Sequence, residues 1–260
     1  MLSATLIPAL GSGGLVGFSL GLVGGGGSIL ATPLLLYVVG IADPHVAIGT
    51  SAVAVSINAY ANLAAHARKG HVRWLCAAVF AGVGALGALL GSSLGLAVDG
   101  KRLLLLFGAL MVVVGLLMLR PRPADTAPER QVDRRMCLFT SAAALVTGMA
   151  SGFFGIGGGF LIVPALIFAT GMPMINAVGS SLLAVGTFGL ATALNYARGG
   201  LVDWSIAAQF VVGGIAGGIL GMLLATRLSN SKATLNRIFA ALVLAVAAYV
   251  IVRNLSATPP

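Results

Sequence analysis

Charged residues are scarce in this 260-residue chain: Asp, Glu, Lys and Arg make up 8% of it, whereas 58% is hydrophobic. A soluble domain carries roughly 25% charged residues, because its surface must face water. The shortage therefore excludes an ordinary soluble protein. The hydrophobicity also excludes an intrinsically disordered chain, which cannot bury enough apolar surface to fold.

Acidic residues are the scarcest charges, six Asp and Glu against 15 Lys and Arg. No two acids share a long apolar run, so a metal or a catalytic carboxylate pair would lack ligands inside a membrane span. We therefore expect no metal, no cofactor and no enzymatic activity; an intramembrane enzyme is the least favoured alternative. The same shortage argues against a cation transporter. Two cysteines, Cys76 and Cys137, are too few for a disulfide framework.

The basic excess does not form a nucleic-acid-binding face. Eight of the 21 charged residues lie within residues 120–135, and the other 13 are scattered along the chain. In a membrane protein, excess Lys and Arg instead mark cytoplasmic loops. We therefore predict no nucleic-acid partner and a cytoplasmic position for residues 120–135. The N-terminus has neither a basic region nor a small-residue cleavage site, so we expect no removable signal peptide.

Long uncharged runs are what the sequence has in abundance. A bilayer core requires about 20 apolar helical residues, and residues 46–65 and 74–98 hold 20 and 25 without a charge. Residues 1–42 and 136–197 are too long for one span, and each is interrupted by a cluster of glycines. We predict an all-α integral membrane protein, a polytopic helical bundle of about 8–10 membrane segments with Gly-rich broken or re-entrant helices.

The two halves of the chain repeat each other at an offset of 130–132 residues. The register is kept over glycine clusters, hydroxyl residues and Gly-x-Val-x-Trp motifs, so we interpret the chain as a tandem duplication. Two of the matched segments contain Gly-x-x-x-Gly, which is typical of close helix packing. The matched segments are 24–28 and 155–159, 49–51 and 179–181, 70–74 and 200–204, and 87–91 and 217–221.

The duplication divides the chain into a first membrane repeat at residues 1–119, a cytoplasmic linker at 120–135 and a second membrane repeat at 136–260. If each glycine-rich break makes a hairpin, each half has an odd number of spans and the second half is inverted. If each broken segment crosses once, the halves are parallel. The inverted arrangement places 11 Lys and Arg on one side and four on the other, against ten and five for the parallel one. The positive-inside rule therefore favours inverted repeats.

The two glycine-rich breaks are the predicted binding site. Unwound backbone at membrane depth is tolerated only where it is buried in protein or lines a watery cavity. Helices that begin at Ser28 and Gly159 would direct free N–H groups and their positive dipole ends into that cavity, which suits an anion. Glycine could merely permit tight turns and close packing, but its recurrence in both halves favours a site. The predicted backbone donors are Gly24, Gly25, Gly26, Gly27, Ser28, Gly155, Gly157, Gly158 and Gly159.

Four hydroxyl residues follow about 22 residues after the breaks: Thr50, Ser51, Ser180 and Ser181. Their side chains could donate hydrogen bonds to the oxygens of an anion. Helix capping or bonding between helices is an equally good explanation. The sequence leaves both open.

Other polar residues near the spans have simpler explanations. Asn58 and Asn62 lie within a predicted span, where they are either ligands or bonded to neighbouring helices. His66 and His71 stand among basic residues, so we expect them in a solvated cytoplasmic loop.

The order of these motifs resembles the TauE/SafE sulfite exporter family. A glycine-rich break leading to Pro33 is followed by residues 47–51 and by Gly-x-Val-x-Trp at 70–74, and the second copy repeats the same order. The resemblance covers residues 11–252. It implies a multi-pass transporter of the bacterial inner membrane, whose relatives are associated with sulfite, sulfoacetate and other sulfur-containing or organic anions. Ser180 replaces Thr50 in the second copy, so the two half-sites need not be equivalent.

The sequence thus predicts a membrane transporter that exports a small sulfur-containing or organic anion by alternating access. Its expected partners are this anion, the lipid bilayer and a coupling ion, either proton or sodium. One alternative is a passive anion channel that uses the same site. The other is a membrane-embedded partner protein with no transport of its own.

Overall fold

The computed structural model describes residues 2–119, 134–155, 159–227 and 232–256, and within these ranges every regular element is helical. A 3₁₀-helix, Gly24–Leu30, leads from α1 into α2, and a π-helical turn, Leu35–Val39, extends α2. The α-helices are α1 (Leu2–Val23), α2 (Ala31–Leu34), α3 (Pro44–Arg68), α4 (Trp74–Leu96), α5 (Gly100–Leu119), α6 (Arg134–Phe154), α7 (Gly159–Thr170), α8 (Met174–Arg198), α9 (Trp204–Arg227) and α10 (Lys232–Ser256).

The predicted all-α polytopic membrane architecture is confirmed. Six helices among the described residues are long and apolar enough to cross a bilayer, and three further apolar helices are shorter. Large apolar side chains also point outward: Leu86, Leu90 and Leu94 form one exposed face of α4, at 61%, 59% and 53% exposure. Such a face is expected against lipid rather than water. The six long spans are Thr5–Leu22, Pro44–Arg68, Trp74–Leu96, Gly100–Leu117, Ile175–Arg198 and Trp204–Leu224.

Helices α3 and α8 occupy the centre and cross at two equivalent residues of the repeat. The Ser56 Oγ donates a hydrogen bond of 2.6 Å to the carbonyl oxygen of Gly186, which lies 130 residues further along the chain. A contact between equivalent positions indicates that a pseudo-two-fold axis passes through it. The symmetry between the two halves can therefore be described from this contact at Ser56.

The equivalent helices α5 and α10 run antiparallel. Gly108 of α5 lies against Ile251 of α10, and Gly115, two turns later, lies against Leu244. This opposed course is the relation that an inverted repeat produces. Which way each half faces in the bilayer, and with it the inverted topology, stays a prediction.

Glycine seams lock the two halves together. Helix α1 of the first half lies along α9 of the second, where a Cβ on Gly17 would overlap the Gly214 carbonyl. Helix α6 lies along α4 in the same manner, since a Cβ on Gly148 would overlap the Gly84 carbonyl. The predicted packing role of the Gly-x-x-x-Gly pairs is confirmed: Gly87 and Gly91 lie against Leu145 and Met149, and Gly217 and Gly221 lie against Gly14 and Phe18.

The two ends of the bundle carry different charges. Asp43 and Asp99 lie at one end and line an open cavity of about 440 Å³ with Lys101. The loop at residues 69–73 lies at the other end and is basic. Of the predicted linker, residues 120–135, the part at 120–133 lies outside the described residues, and α6 begins at Arg134. The cytoplasmic position of the linker therefore stays a prediction.

Candidate functional site

The first glycine-rich break reverses the chain at Gly24, which is buried and has a φ of +75°. Helical structure resumes at once, because residues 24–30 form a 3₁₀-helix rather than an unwound loop ending at Ser28. In such a helix the later N–H groups bond to carbonyls three residues back. The backbone donors available to an anion are therefore those of the first turn, and Ser28 lies beyond them.

The second break has the same starting geometry. Gly155 has a φ of +66°, and its N–H donates to the Gly152 carbonyl at 3.3 Å. Helix α7 begins at Gly159, as the sequence predicts. Gly157 and Gly158, two of the predicted backbone donors, lie outside the described residues.

Each break packs against a serine of the other half. A Cβ on Gly24 would lie 3.4 Å from the Ser181 Oγ and 2.9 Å from Val178. The Ser51 Oγ lies 3.4 Å from the Gly155 carbonyl oxygen. Ser51 and Ser181 are equivalent in the repeat, so the structure makes two related clusters, Gly24 with Ser181 and Gly155 with Ser51.

The hydroxyl protons of both serines are engaged within their own helix. The Ser51 Oγ donates to the Ile48 carbonyl at 2.9 Å, and the Ser181 Oγ donates to the Val178 carbonyl at 2.8 Å. A change of χ1 rotamer would release either hydroxyl. Thr32, which sequence reasoning missed, lies 2.9 Å from the Ser51 Oγ through its own Oγ1. A hydroxyl one turn beyond the glycine run could have indicated it.

Thr50 and Ser180 cap helices of the opposite half. The Thr50 Oγ1 accepts a 3.0 Å hydrogen bond from the N–H of Asp203, immediately before α9. The Ser180 Oγ accepts an equal bond from the N–H of Arg73, immediately before α4. Both hydroxyl residues are fully buried. The capping explanation therefore accounts for their acceptor role, and direct contact with a substrate stays a prediction.

The glycine before each capping hydroxyl lets the opposite loop approach. A Cβ on Gly49 would overlap the Leu201 carbonyl, and one on Gly179 would overlap the His71 carbonyl. The Gly-Thr-Ser and Gly-Ser-Ser motifs thus receive the loops at 200–204 and 70–74, which carry Gly-x-Val-x-Trp. Two motifs that are separate in sequence are one interlocking contact in space.

A buried polar line on α3 also escaped sequence reasoning. Asn58, Asn62 and His66 share one helix face and are 0%, 4% and 3% exposed. The expectation that His66 lies in a solvated loop is wrong, because α3 continues to Arg68 and packs this face against α1 and α9. The four-residue spacing of the three side chains could have indicated a common face.

Long apolar helices, a pair of crossed central helices and buried glycine-rich breaks define a polytopic helical membrane protein. The chain belongs to the TauE/SafE family: the family model "Sulfite exporter TauE/SafE" matches residues 9–250. The chain is therefore a multi-pass membrane transporter of this family, and the resemblance seen in the sequence is confirmed.

Relatives from two bacterial genera are described as membrane transporter proteins. A "Probable membrane transporter protein" of Xylella fastidiosa (strain 9a5c) is 71% identical over 96% of both chains. The "Probable membrane transporter protein YdhB" of Bacillus subtilis (strain 168) is 25% identical over 80% of this chain and 85% of its own. No solved structure matches the chain.

Proposed function

We propose that this transporter exports a small sulfur-containing or organic anion, of the sulfite or sulfonate type, across the bacterial cell membrane by alternating access. The observation that carries the proposal is the pairing of each glycine break with a serine of the other half, Gly24 with Ser181 and Gly155 with Ser51. Backbone N–H groups and hydroxyls are neutral donors that suit an oxyanion. A site made by both halves changes shape when the halves move.

The charges of the described residues support an anion as the cargo. Asp43 and Asp99 are exposed and Asp203 is partly buried, so no acid of the described chain is enclosed with the breaks. An anion at Ser51 or Ser181 would therefore meet no buried carboxylate. A cation there would lack counter-charge.

The burial of the site supports alternating access over a passive channel. Ser51 and Ser181 are fully buried, and so is Ser28 beside the first break. A passive channel requires a continuous open path to such groups. Here the groups become accessible only if the halves rearrange, and repeats with antiparallel equivalent helices provide two related arrangements for that motion.

In the proposed site, the residues have two roles. Backbone N–H groups that follow Gly24 and Gly155 supply donors, and Ser51 and Ser181 supply hydroxyls after a change of rotamer. Thr50 and Ser180 position the helices of the opposite half, and their direct contact with the anion stays a prediction.

Sulfite efflux from proteoliposomes tests this assignment. Hydrogen bonds to charged groups contribute about 1.5–3 kcal/mol, so Ser51→Ala and Ser181→Ala should each reduce efflux at low sulfite by about tenfold or more. Ser93→Ala is the matched control. The Ser93 Oγ also donates to its own helix, at 2.9 Å, and it accepts a bond from the Asn195 Nδ2 of the other half at 3.0 Å, but it is exposed. Wild-type efflux from both folded variants would contradict the site.

A substrate panel tests the cargo. Thermal shifts with sulfite, sulfate, thiosulfate, sulfoacetate and carboxylates should single out one class of anion. Efflux that fails to saturate with concentration would indicate a channel. No efflux of any of these anions by folded protein would overturn the transport proposal.

A further inference from the structure

We propose that His66, with Asn62 and Asn58, forms a buried path for one proton that is transported together with each anion. The inference rests on the proposed anion transport and adds its coupling ion. The three side chains lie at i, i+4 and i+8 on α3, so they cover about 12 Å along one helix face. That face runs from Asn58, close to the crossing at Ser56, toward the basic loop at residues 69–73.

The polar atoms along this face lack partners. Both imidazole nitrogens of His66 and both amide atoms of Asn58 are buried without a hydrogen bond of ordinary geometry, and the backbone of Gly21 is the one candidate partner beside His66. The Asn62 Nδ2 donates to the Asn58 carbonyl at 2.9 Å. Buried polar atoms are normally paired with protein or with ordered water. Four such atoms on one face mark a place where protons and water are expected.

His66 is the one acidic or basic side chain among the buried residues of the described chain. Its neighbours are cationic or neutral. His71, with its ring centroid 5.9 Å away, and Lys69 both face it from the loop, where Arg73 also lies. On its own helix Arg68 follows; the described part of α1 has no ionisable residue, and α9 has only Arg227 at its end.

This setting couples the proton to the anion. The described acids, Asp43, Asp99 and Asp203, lie at the other end of the bundle, so none of them is placed to hold a proton on His66. The His66 imidazole faces the backbone of Gly21, three residues before the break at Gly24. An anion held at Gly24 and Ser181 would thus lie about one helical turn away and would favour the imidazolium. By linkage, the proton would equally favour the anion.

The equivalent face of the second half has no histidine and begins with an aromatic ring, although it carries two buried hydroxyls without a hydrogen bond, those of Thr192 and Tyr196. The residues equivalent to Asn58, Asn62 and His66 are Phe188, Thr192 and Tyr196. The proposal therefore predicts one proton for each anion. His66 takes this proton from solvent on one side and releases it on the other with the anion, so that transport of a monoanion is electroneutral.

Proteoliposomes that contain a pH-sensitive dye test the stoichiometry. The probes are sulfite, which changes between a monoanion and a dianion near neutral pH, and methanesulfonate, which is a monoanion throughout. Wild-type protein should move one proton with each methanesulfonate, and an imposed membrane potential should not change the rate. Anion flux without proton movement, or flux driven by the potential, would overturn the proposal, whereas no flux of either probe by folded protein would overturn the proposed function instead.

The variant His66→Gln separates coupling from a structural role. It should lower net efflux at least tenfold and remove its pH dependence, while exchange of labelled for unlabelled anion stays within about twofold of wild type, because exchange requires no net proton movement. His71→Gln, at the half-buried neighbour, is the matched control and should retain coupled efflux. Proton-coupled efflux by His66→Gln at the wild-type rate would overturn the proposal. If His66→Gln fails to fold, Asn62→Thr introduces the residue of the second half and should slow net efflux without slowing exchange; equal slowing of both would contradict the proton path.

Discussion

The two halves share one architecture but differ on the face of the central helix that packs against their neighbours. Asn58 of α3 lies against Gly214 of α9, whereas its equivalent, Phe188 of α8, fills the space over Gly84 of α4. Phe188 also stacks on Phe80, with ring centroids 6.2 Å apart, so this contact is entirely apolar. One half thus keeps a polar face of two asparagines and a histidine, where the other has an aromatic ring followed by two buried hydroxyls, those of Thr192 and Tyr196.

This difference separates the features that hold the two halves together from the features expected to set the direction of transport. The glycine seams, the helix caps and the breaks occur twice, as expected of features that dock two similar halves. The polar face occurs once. Two identical halves would make the two sides of the membrane equivalent, so residues such as Asn58 and His66, which lack a counterpart, are where coupling is expected.

The largest expected effect comes from the glycine seams, where the halves should behave alike. Gly17→Ala and Gly148→Ala each place a methyl group onto a facing backbone carbonyl. The facing helix cannot relax as a side chain does, so each variant should lose about 3 kcal/mol or more of stability. Thermal unfolding and size-exclusion chromatography in detergent measure the loss.

Gly11→Ala is the control for this prediction. It lies on the same helix as Gly17 with open space around it, and alanine there should stabilise α1 by up to about 1 kcal/mol. If Gly148→Ala is tolerated while Gly17→Ala is not, the seams are not equivalent.

Substitutions at the two glycine breaks should cause the next largest loss of stability. The size of this loss should differ between the halves. Gly24→Ala and Gly155→Ala both force a non-glycine residue into left-handed backbone, at a cost of about 1–3 kcal/mol. A Cβ on Gly155 would also overlap Ile48, whereas one on Gly24 would only crowd Val178 at 2.9 Å. Gly155→Ala should therefore be the less stable variant, and both should lose anion efflux at least tenfold.

Gly200→Ala measures the cost of left-handed backbone alone. Its φ is +69° and nothing lies near the added methyl group. It should lose stability but retain efflux. Equal loss of efflux in Gly200→Ala would mean that the breaks have no special part in transport.

The sequence predicted the fold well because apolar length and glycine clusters are local signals. The uncharged run at residues 74–98 became α4, Trp74–Leu96, and the run at 46–65 became the middle of α3. The start of the first broken helix was wrong by four residues, Gly24 instead of Ser28, because a glycine at positive φ starts a 3₁₀-helix without an unwound stretch. The strength of this local tendency cannot be judged from composition.

The sequence identified individual residues of the candidate site but not the contacts between them. Sequence reasoning selected Thr50 and Ser51 but could not say that one caps the opposite half while the other lies by the opposite break. These contacts span 153 and 104 residues along the chain, so they depend on how the halves dock. His66 was misplaced because its basic neighbours suggested a loop, although α3 extends past it.

The caps should show a smaller and nearly symmetrical effect. Thr50→Val and Ser180→Ala each remove the acceptor of a partly buried hydrogen bond at a helix N-terminus, which costs about 1–2 kcal/mol. Thr50→Ser should restore most of the loss, because it keeps the oxygen. If Thr50 positions helices only, Thr50→Val lowers the unfolding temperature and leaves the KM for the anion unchanged; a tenfold rise in KM would show that Thr50 contacts the substrate.

The smallest loss of stability is expected at the crossing of α3 and α8, where the equivalent residues are a serine and a glycine. Ser56→Ala removes the 2.6 Å bond to the Gly186 carbonyl. That carbonyl lies inside α8, where the helix supplies another donor, so no buried acceptor is left unpaired. The loss should therefore lie at the low end for a hydrogen bond, about 0.5 kcal/mol, and efflux should be unchanged. Thermal unfolding against Ser19→Ala, which removes a hydroxyl that donates within its own helix to the Leu15 carbonyl at 2.9 Å, measures it. A loss as large as that of Ser180→Ala would mean that the crossing contributes as much as a cap to holding the two halves together.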